Sequence, residues 1–480
     1  MQKTPGNIKN SSWNLANILL YPVAFLALTP FFIDRLGESD FGVWMLVNSY
    51  VYIAVHIVSF GMGNSITAHV AEAIGKKNDK SLFNYINIST RTIAAISFFT
   101  VIAGVIGYVI SNYGIVFFGE SLDKILIVAT LVISVKFWEL LYQSMLKGYE
   151  RYDLASVYNI ISKLLVLAAQ LALVLRGFGL LEIFISNFIL NLIMAIVQAI
   201  VSYKQVKGYK FSFVRSKLER SNLFHFGLWT WLQTIISVLA YQLDRFVVAI
   251  FLGPAITGYY ILASTIINHM HMAFGAVVSW LLPKISRKKE SDSNIKLYFT
   301  SLRSFLTGFS LLVILLTYLL YRPVFTLWLG AEKFDKMNDF FRLFLVFEAF
   351  LLLTIVPLFY LNAVKMLKFI TSLELMYKSG VIIGLLVAFA IVPTGNSIIV
   401  GQIIALAVLI PVEYFLINKR ILFDSPLKES VLTIFPSAMI ALTILFSQWY
   451  LGMAFTLAGA VVFKVYFLDA KRFNLKLLLE

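Results

Sequence analysis

Eleven ionisable residues interrupt stretches that are otherwise apolar: Arg91, Lys136, Lys163, Arg245, Arg303 and Lys378 on the basic side, Glu139, Asp244, Glu348, Glu374 and Glu413 on the acidic side. Groups of this kind are costly in hydrocarbon unless they face a water-filled cavity or a partner, so each is a candidate for chemistry. Arg91, Lys163, Arg303 and Lys378 sit one or two turns inside the ends of their helices. As a set they fit a vestibule that captures an anion; singly, each also fits a side chain reaching back to lipid phosphates. Lys136 and Glu139 are three residues apart, Glu374 and Lys378 four, so each pair can neutralise itself on one helix face. Asp244 and Arg245 are adjacent and point to different faces, a poor geometry for mutual pairing. Arg245 is therefore the leading anion ligand, with Asp244 its orienting partner across a helix or a cation site.

The elements that must carry these charges follow from composition. With 480 residues, 60% hydrophobic and only 14% charged, and a mean hydropathy of +0.84, the chain reads as an integral membrane protein. Its net charge of +15 would suit nucleic acid only on a soluble basic surface, which is lacking, so no nucleic-acid partner is expected and the charge is topological. Cysteine is absent, which excludes disulfides and thiol chemistry. The opening MQKTPGNIKNSSWN carries no short apolar core with a cleavage site, so no removable signal is expected. About 20 apolar residues cross the hydrocarbon core, and fourteen candidate spans appear: 12–34, 41–75, 84–113, 122–147, 153–175, 180–203, 222–252, 256–285, 297–321, 340–363, 369–392, 396–418, 430–447 and 450–468. The last two are short, so twelve spans and a re-entrant pair is the competing count. Lys and Arg collect in alternate loops, such as Lys76, Lys77 and Lys80, then Lys204 to Arg220, which places both termini on the cytoplasmic side. The longest opposite loop, RPVFTLWLGAEKFDKMND, offers no room for an enzyme domain.

LGESDFGVWMLVNS from Leu36 and LGPAITGYYILAST from Leu252 share Leu-Gly, a second Gly, and aromatic, aliphatic and hydroxyl or amide positions in register. Each opens a second helix, which suggests a duplicated six-helix unit in parallel orientation, a recurrent transporter design. The expected domains are 1–215, 216–425 and a C-terminal pair of helices in 426–480. Within SFGMGNSITAHVAEAIGKKN, Gly61, Asn64, Ser65, Ala68, Ala71 and Gly75 form a small-residue stripe for close helix packing. Gly63 lies beside it, and Asn64 and Thr67 are candidates for wetting a cavity. The expected helix is continuous from Phe41 to Gly75, roughly 50 Å at 1.5 Å per residue. Enzyme chemistry has no visible carrier: GxxxxGK[ST] and HExxH are missing, and His269 and His271 point to different faces, so no metal site is expected. Transport remains, with no bound cofactor. A proton or sodium gradient would drive it, with Glu139, Asp244 or Glu348 as the coupling carboxylate.

The run LGESDFGVWMLVNSYVYIAVHIVSFGMGNSITAHVAEAIGKKND resembles the opening helices of O-antigen-type polysaccharide flippases in the multidrug/oligosaccharidyl-lipid/polysaccharide (MOP) exporter superfamily. YQSMLKGYERYDLASVYNII and YQLDRFVVAIFLGPAITGYYILAS extend the likeness. The resemblance implies an all-α, V-shaped, MATE-like pair of six-helix bundles, here with two further C-terminal helices, in the bacterial inner membrane. It implies transfer of an undecaprenyl-pyrophosphate-linked oligosaccharide between leaflets by alternating access, with a cationic cavity for the pyrophosphate. A polysaccharide polymerase and a chain-length regulator are the implied partners. Trp138, Trp229, Trp231 and Tyr241 are candidates for stacking on sugars. Ser59 stands where many relatives carry Asp, so that position is no ion site here. The chain has no Lys or Arg between Trp13 and Ile33, which disfavours lipid II as substrate, and its basic set argues against a multidrug exporter. A membrane-embedded scaffold of a glycan-assembly complex is the alternative from another class.

Overall fold

The computed structural model describes residues 7–112, 120–206, 208–213, 216–279, 295–363, 366–420, 426–446, 459–461 and 464. Every regular element among them is helical. The order is α1 (Asn7–Leu36), α2 (Glu38–Val58), α3 (Met62–Gly75), α4 (Asp79–Asn112), α5 (Glu120–Gly148), α6 (Tyr152–Leu175), α7 (Leu180–Gln205) and α8 (Lys217–Ser279). There follow α9 (Ile295–Leu329), α10 (Ala331–Leu351), a 3-10 turn (Leu352–Thr354), α11 (Ile355–Ala363), α12 (Leu367–Ile391), α13 (Gly395–Arg420) and α14 (Pro426–Phe446). Eleven stretches among the described residues are long and apolar enough to cross a membrane, and one, Lys217–Ala276, has length for two crossings. The chain is a multi-pass membrane protein. Most of the expected span 450–468, apart from 459–461 and 464, and the basic segment 280–294 lie outside the described residues.

Two compact units divide the chain, Met1–Gln242 and Leu243–Glu480. In the first, α5 is the hub, packing against α3, α4 and α7, while α1 lies along α6. In the second, α12 packs on α13, and α10 is sandwiched by α13, α14 and α9. Side chains on the outer faces, such as Phe98, Val105 and Ile106 of α4, are apolar and exposed, as lipid-facing positions must be.

Where helices meet end to end, the sequence has Leu-Gly. Gly37 has φ 82 and ψ 161, Gly253 φ 80 and ψ 169, and Gly330 φ 84 and ψ 156. This region of backbone space is open essentially to glycine alone. The duplicated Leu36-Gly37 and Leu252-Gly253 thus share one backbone conformation, and Leu329-Gly330 adds a third copy within the stretch expected to be an outer loop. That stretch is instead helical on both sides of Gly330, whose N–H donates to Thr326 O at 3.0 Å and whose carbonyl accepts from Phe334 N–H at 3.1 Å. Pro254 follows Gly253 at a helix start, where a missing N–H is harmless.

The continuous helix expected from Phe41 to Gly75 is corrected to two, α2 and α3. The chain turns at Phe60 (φ 48) and Gly61 (φ 68). A Cβ on Gly61 would lie 2.2 Å from the Gly227 carbonyl oxygen of α8, and Trp231 Nε1–H donates to Ile57 O at 2.5 Å, closing an orphan carbonyl at the end of α2. The break therefore docks α3 on α8 within the first unit.

Gly37, Gly253 and Gly330 all face open space where a Cβ would project, so substitution by alanine tests conformation without a clash. Each change is expected to cost about 1–3 kcal/mol, read as a lowered thermal unfolding midpoint in detergent. Gly75→Ala, also in open space but at ordinary helical φ, is the control and is expected to leave the midpoint unchanged or slightly raised.

Candidate functional site

A cavity of about 1140 Å³ opens within the first unit, between α2, α4, α5 and the first turns of α8. Three cations line it, Arg91 of α4 with Lys217 and Arg220 of α8, against one carboxylate, Asp123 of α5. Both guanidiniums lie over aromatic rings, Arg91 5.1 Å from the centre of Phe213 and Arg220 5.8 Å from that of Phe224. Stacking of this kind orients the planar cation. The rest of the lining is mainly apolar, with hydroxyls from Tyr50, Thr92, Thr100, Tyr108, Thr130 and Ser216. A cationic end on an apolar chamber suits an amphiphilic anion.

Arg91 is the one member of the expected anion set in this cavity. Lys163 of α6 points over the Tyr21 ring at 5.6 Å and stands within electrostatic range of Lys136, Glu139 and Lys147. Lys136 forms the expected pair with Glu139, Nζ to Oε2 2.8 Å. It also donates to Asn191 Oδ1 of α7 at 2.5 Å. Asn191 in turn meets Ser162 of α6 and hydrogen-bonds Asn187, so α5, α6 and α7 share a polar knot. Asn187 and Asn191 were not singled out from sequence; two asparagines four apart on one face of an apolar helix are the signal.

In the second unit Asp244 accepts from Tyr260 OH at 2.7 Å and from the Arg245 backbone N–H at 2.9 Å, with Gln402 of α13 also bonding its carboxylate. Arg245 is buried and reaches Ser264 Oγ at 3.4 Å. Arg303, only 1% exposed, bridges Asn418 of α13 at 3.2 Å and Glu429 of α14 at 3.4 Å, which ties three helices. Lys378 pairs with Glu374 at 3.4 Å, the i,i+4 pairing expected. Glu348 of α10 accepts from, or donates to, His271 Nδ1 of α8 at 2.9 Å, a partner not anticipated because His271 was weighed only against His269. Glu413 is 0% exposed, and neither of its carboxylate oxygens meets a hydrogen-bonding group among the described residues.

The small-residue segment packs. A Cβ on Gly63 would lie 2.8 Å from Leu140, and Thr67 Oγ1 donates to Gly63 O at 3.0 Å and sits 3.3 Å from Ser144 O of α5. Asn64 is exposed. A smaller cavity of about 610 Å³ lies beyond it, lined by His69, Glu72, Asn222, His225, Trp229 and Gln233 among others. At its rim the Glu72 carboxyl is held below the usual range by its hydrogen bond to Lys76. Trp229 is 63% exposed, whereas Trp231 is engaged with Ile57 and Phe60 and Trp138 stacks on Tyr142.

The polar knot of the first unit makes its own test. Lys136→Met strands the buried Glu139 carboxylate and is expected to cost about 3 kcal/mol, whereas Lys136→Met with Glu139→Met is expected to recover most of that loss. Thermal unfolding of both variants in detergent measures it. A double variant no more stable than the single one would mean that the pair is not coupled.

Known proteins bear on this architecture. The curated "Putative O-antigen transporter" of Shigella flexneri is 24% identical over 290 residues, which cover 59% of this chain and 67% of that one. Among solved structures, the lipid II flippase MurJ in an inward closed conformation superposes with a TM-score of 0.66 at 16% identity, covering 94% of this chain and 99% of that one. An inward-facing multidrug resistance MATE family transporter of the MOP superfamily gives 0.63 at 13% identity, over 87% and 99%. Residues 8–289 match the family described as "Polysaccharide biosynthesis protein". That match spans more than half the chain and includes the cation-lined cavity; the chain belongs to the polysaccharide biosynthesis protein family and has the fold of MOP-superfamily transporters.

Proposed function

We propose that this protein flips an undecaprenyl-pyrophosphate-linked oligosaccharide repeat unit from the cytoplasmic to the outer leaflet of a bacterial inner membrane, by alternating access, for O-antigen or another surface polysaccharide. The observation that carries the reading is the first unit's cavity, with Arg91, Lys217 and Arg220 set against a single carboxylate in a mainly apolar lining. Two guanidiniums and an ammonium match the oxygens of a pyrophosphate, and a low-dielectric wall strengthens each contact. The family and the name of the Shigella relative support the same class of cargo.

In this reading both termini are cytoplasmic and two six-helix bundles, with two further C-terminal helices, exchange access to the substrate. An ion gradient drives the exchange through Asp244, Glu139 or Glu348, and the product is delivered to a polymerase and its chain-length regulator. Exposed Trp229, with His225 and Gln233 in the smaller cavity, supports contact with sugar: a ring face for the apolar side of a pyranose, amide and imidazole groups for its hydroxyls.

Arg91→Gln and Arg220→Gln are each expected to lower transport about 10- to 100-fold, the worth of one charge-assisted contact. Surface glycan restored in a flippase-deficient strain, alongside the amount of inserted protein, measures this. Normal glycan from the doubly substituted protein would remove the cavity from the mechanism. Asp244→Asn combined with Glu139→Gln and Glu348→Gln is expected to abolish the dependence of transport on pH and sodium; retained dependence would place coupling elsewhere.

A further inference from the structure

The cavity has a shape as well as a charge. Its α4 lining runs through Ile88, Arg91, Ala95, Phe99, Ala103 and Gly107, with neighbours one residue on, so one face of the helix forms its floor from end to end. Arg91 and Gly107 are sixteen residues apart, roughly 24 Å at 1.5 Å per residue. The apolar run of α4 begins at Ile93, two residues after Arg91, and continues to Ile110, a length comparable with the ~30 Å core of a bilayer. Arg91 therefore marks the membrane interface, and the trough beyond it crosses most of the hydrocarbon. Small residues, Ala95, Ala103, Gly104 and Gly107, alternate with Ile96, Phe99 and Thr100 along its floor. Gly104 is also needed for the approach of Thr130 on α5, 2.6 Å from where its Cβ would be, but Gly107 faces open space.

We propose that this trough seats the phosphate-proximal part of a polyisoprenyl tail, so that the protein recognises the lipid carrier itself, independently of the glycan. The inference rests on the transport reading above and deepens it by naming the site of the carrier. Charge selects this occupant over ordinary membrane lipid. Phosphatidylglycerol and the zwitterionic phosphodiester lipids carry one negative charge or none net, whereas a phosphate monoester carries about −1.5 to −2 at neutral pH, and a pyrophosphate diester is likewise dianionic. Three cations at one end of the trough match a dianion.

The test uses the full-length protein in nanodiscs and a polyisoprenyl monophosphate carrying a photoreactive diazirine on its tail. Labelling is expected between Thr92 and Tyr108, with competition by unlabelled polyisoprenyl phosphate but not by equal phosphatidylglycerol or by the uncharged polyisoprenol. Arg91→Gln with Arg220→Gln is expected to reduce labelling about tenfold, and Gly107→Leu to remove it from the far end of α4. Unfolding midpoints equal to wild type would show that both variants keep the fold. Labelling spread over all lipid-facing helices, equal competition by phosphatidylglycerol, or no response to the arginine substitutions would overturn the proposal. Transport of lipid-linked glycan by reconstituted vesicles separates the two readings. Localised labelling without transport keeps the carrier site and sinks the flippase, while transport without localised labelling does the reverse.

Discussion

A backbone N–H or carbonyl left without a partner in hydrocarbon costs several kcal/mol, and this constraint shapes everything else in the chain. Helices satisfy it internally, so the described residues are nearly all helical, and among them the places where a helix ends are chemically marked. At Gly37 and Gly330 the direction changes while the neighbouring N–H groups still donate to helical carbonyls. At Gly61 the break is larger, and a side chain, Trp231, supplies the donor for Ile57 O. Glycine is used here because the required φ and ψ are closed to other residues, and the same device recurring at Leu36-Gly37 and Leu252-Gly253 gives the sequence repeat a structural cause.

The same low-polarity surroundings govern the buried charges. In the first unit Lys136 and Glu139 are neutralised on one helix and then tied into α6 and α7 through Ser162, Asn187 and Asn191. In the second, Asp244 collects a phenol, a backbone N–H and an amide, while Arg303 spans α13 and α14. These groups hold helices in register, since a buried ion pair loses heavily when one partner is removed. Arg91, Lys217 and Arg220 differ in kind. They stand at the wall of a large chamber, and two of them, Arg91 and Arg220, lie over aromatic rings.

Much of the helix map was legible because length and hydropathy are local properties: the expected 153–175 and 180–203 differ from α6 and α7 by two residues or fewer at each end. The Lys136–Glu139 and Glu374–Lys378 pairs were legible for the same reason, being fixed by i,i+3 and i,i+4 geometry. What failed was any inference needing a distant neighbour. The Gly61 turn depends on the close approach of Gly227, 166 positions away in sequence. His271 acquires its meaning from Glu348, and Asn191 from Lys136. Spacing within one helix cannot reveal which helix lies opposite.

Lys217 and Arg220 show how one residue can satisfy two readings. In the sequence they belong to a basic run whose sign orients the chain in the membrane. In the fold they begin α8 and close the end of the cavity opposite the apolar wall, beside Arg91. Both roles demand a cation at the boundary between water and hydrocarbon, because that is where the topological signal acts and where an anionic headgroup meets its tail. A phosphate-linked amphiphile approaching from that leaflet encounters charge first and the apolar trough second. The order of residues along α4, mixed to Thr90, cationic at Arg91 and apolar from Ile93, follows the order of chemistry along such a molecule.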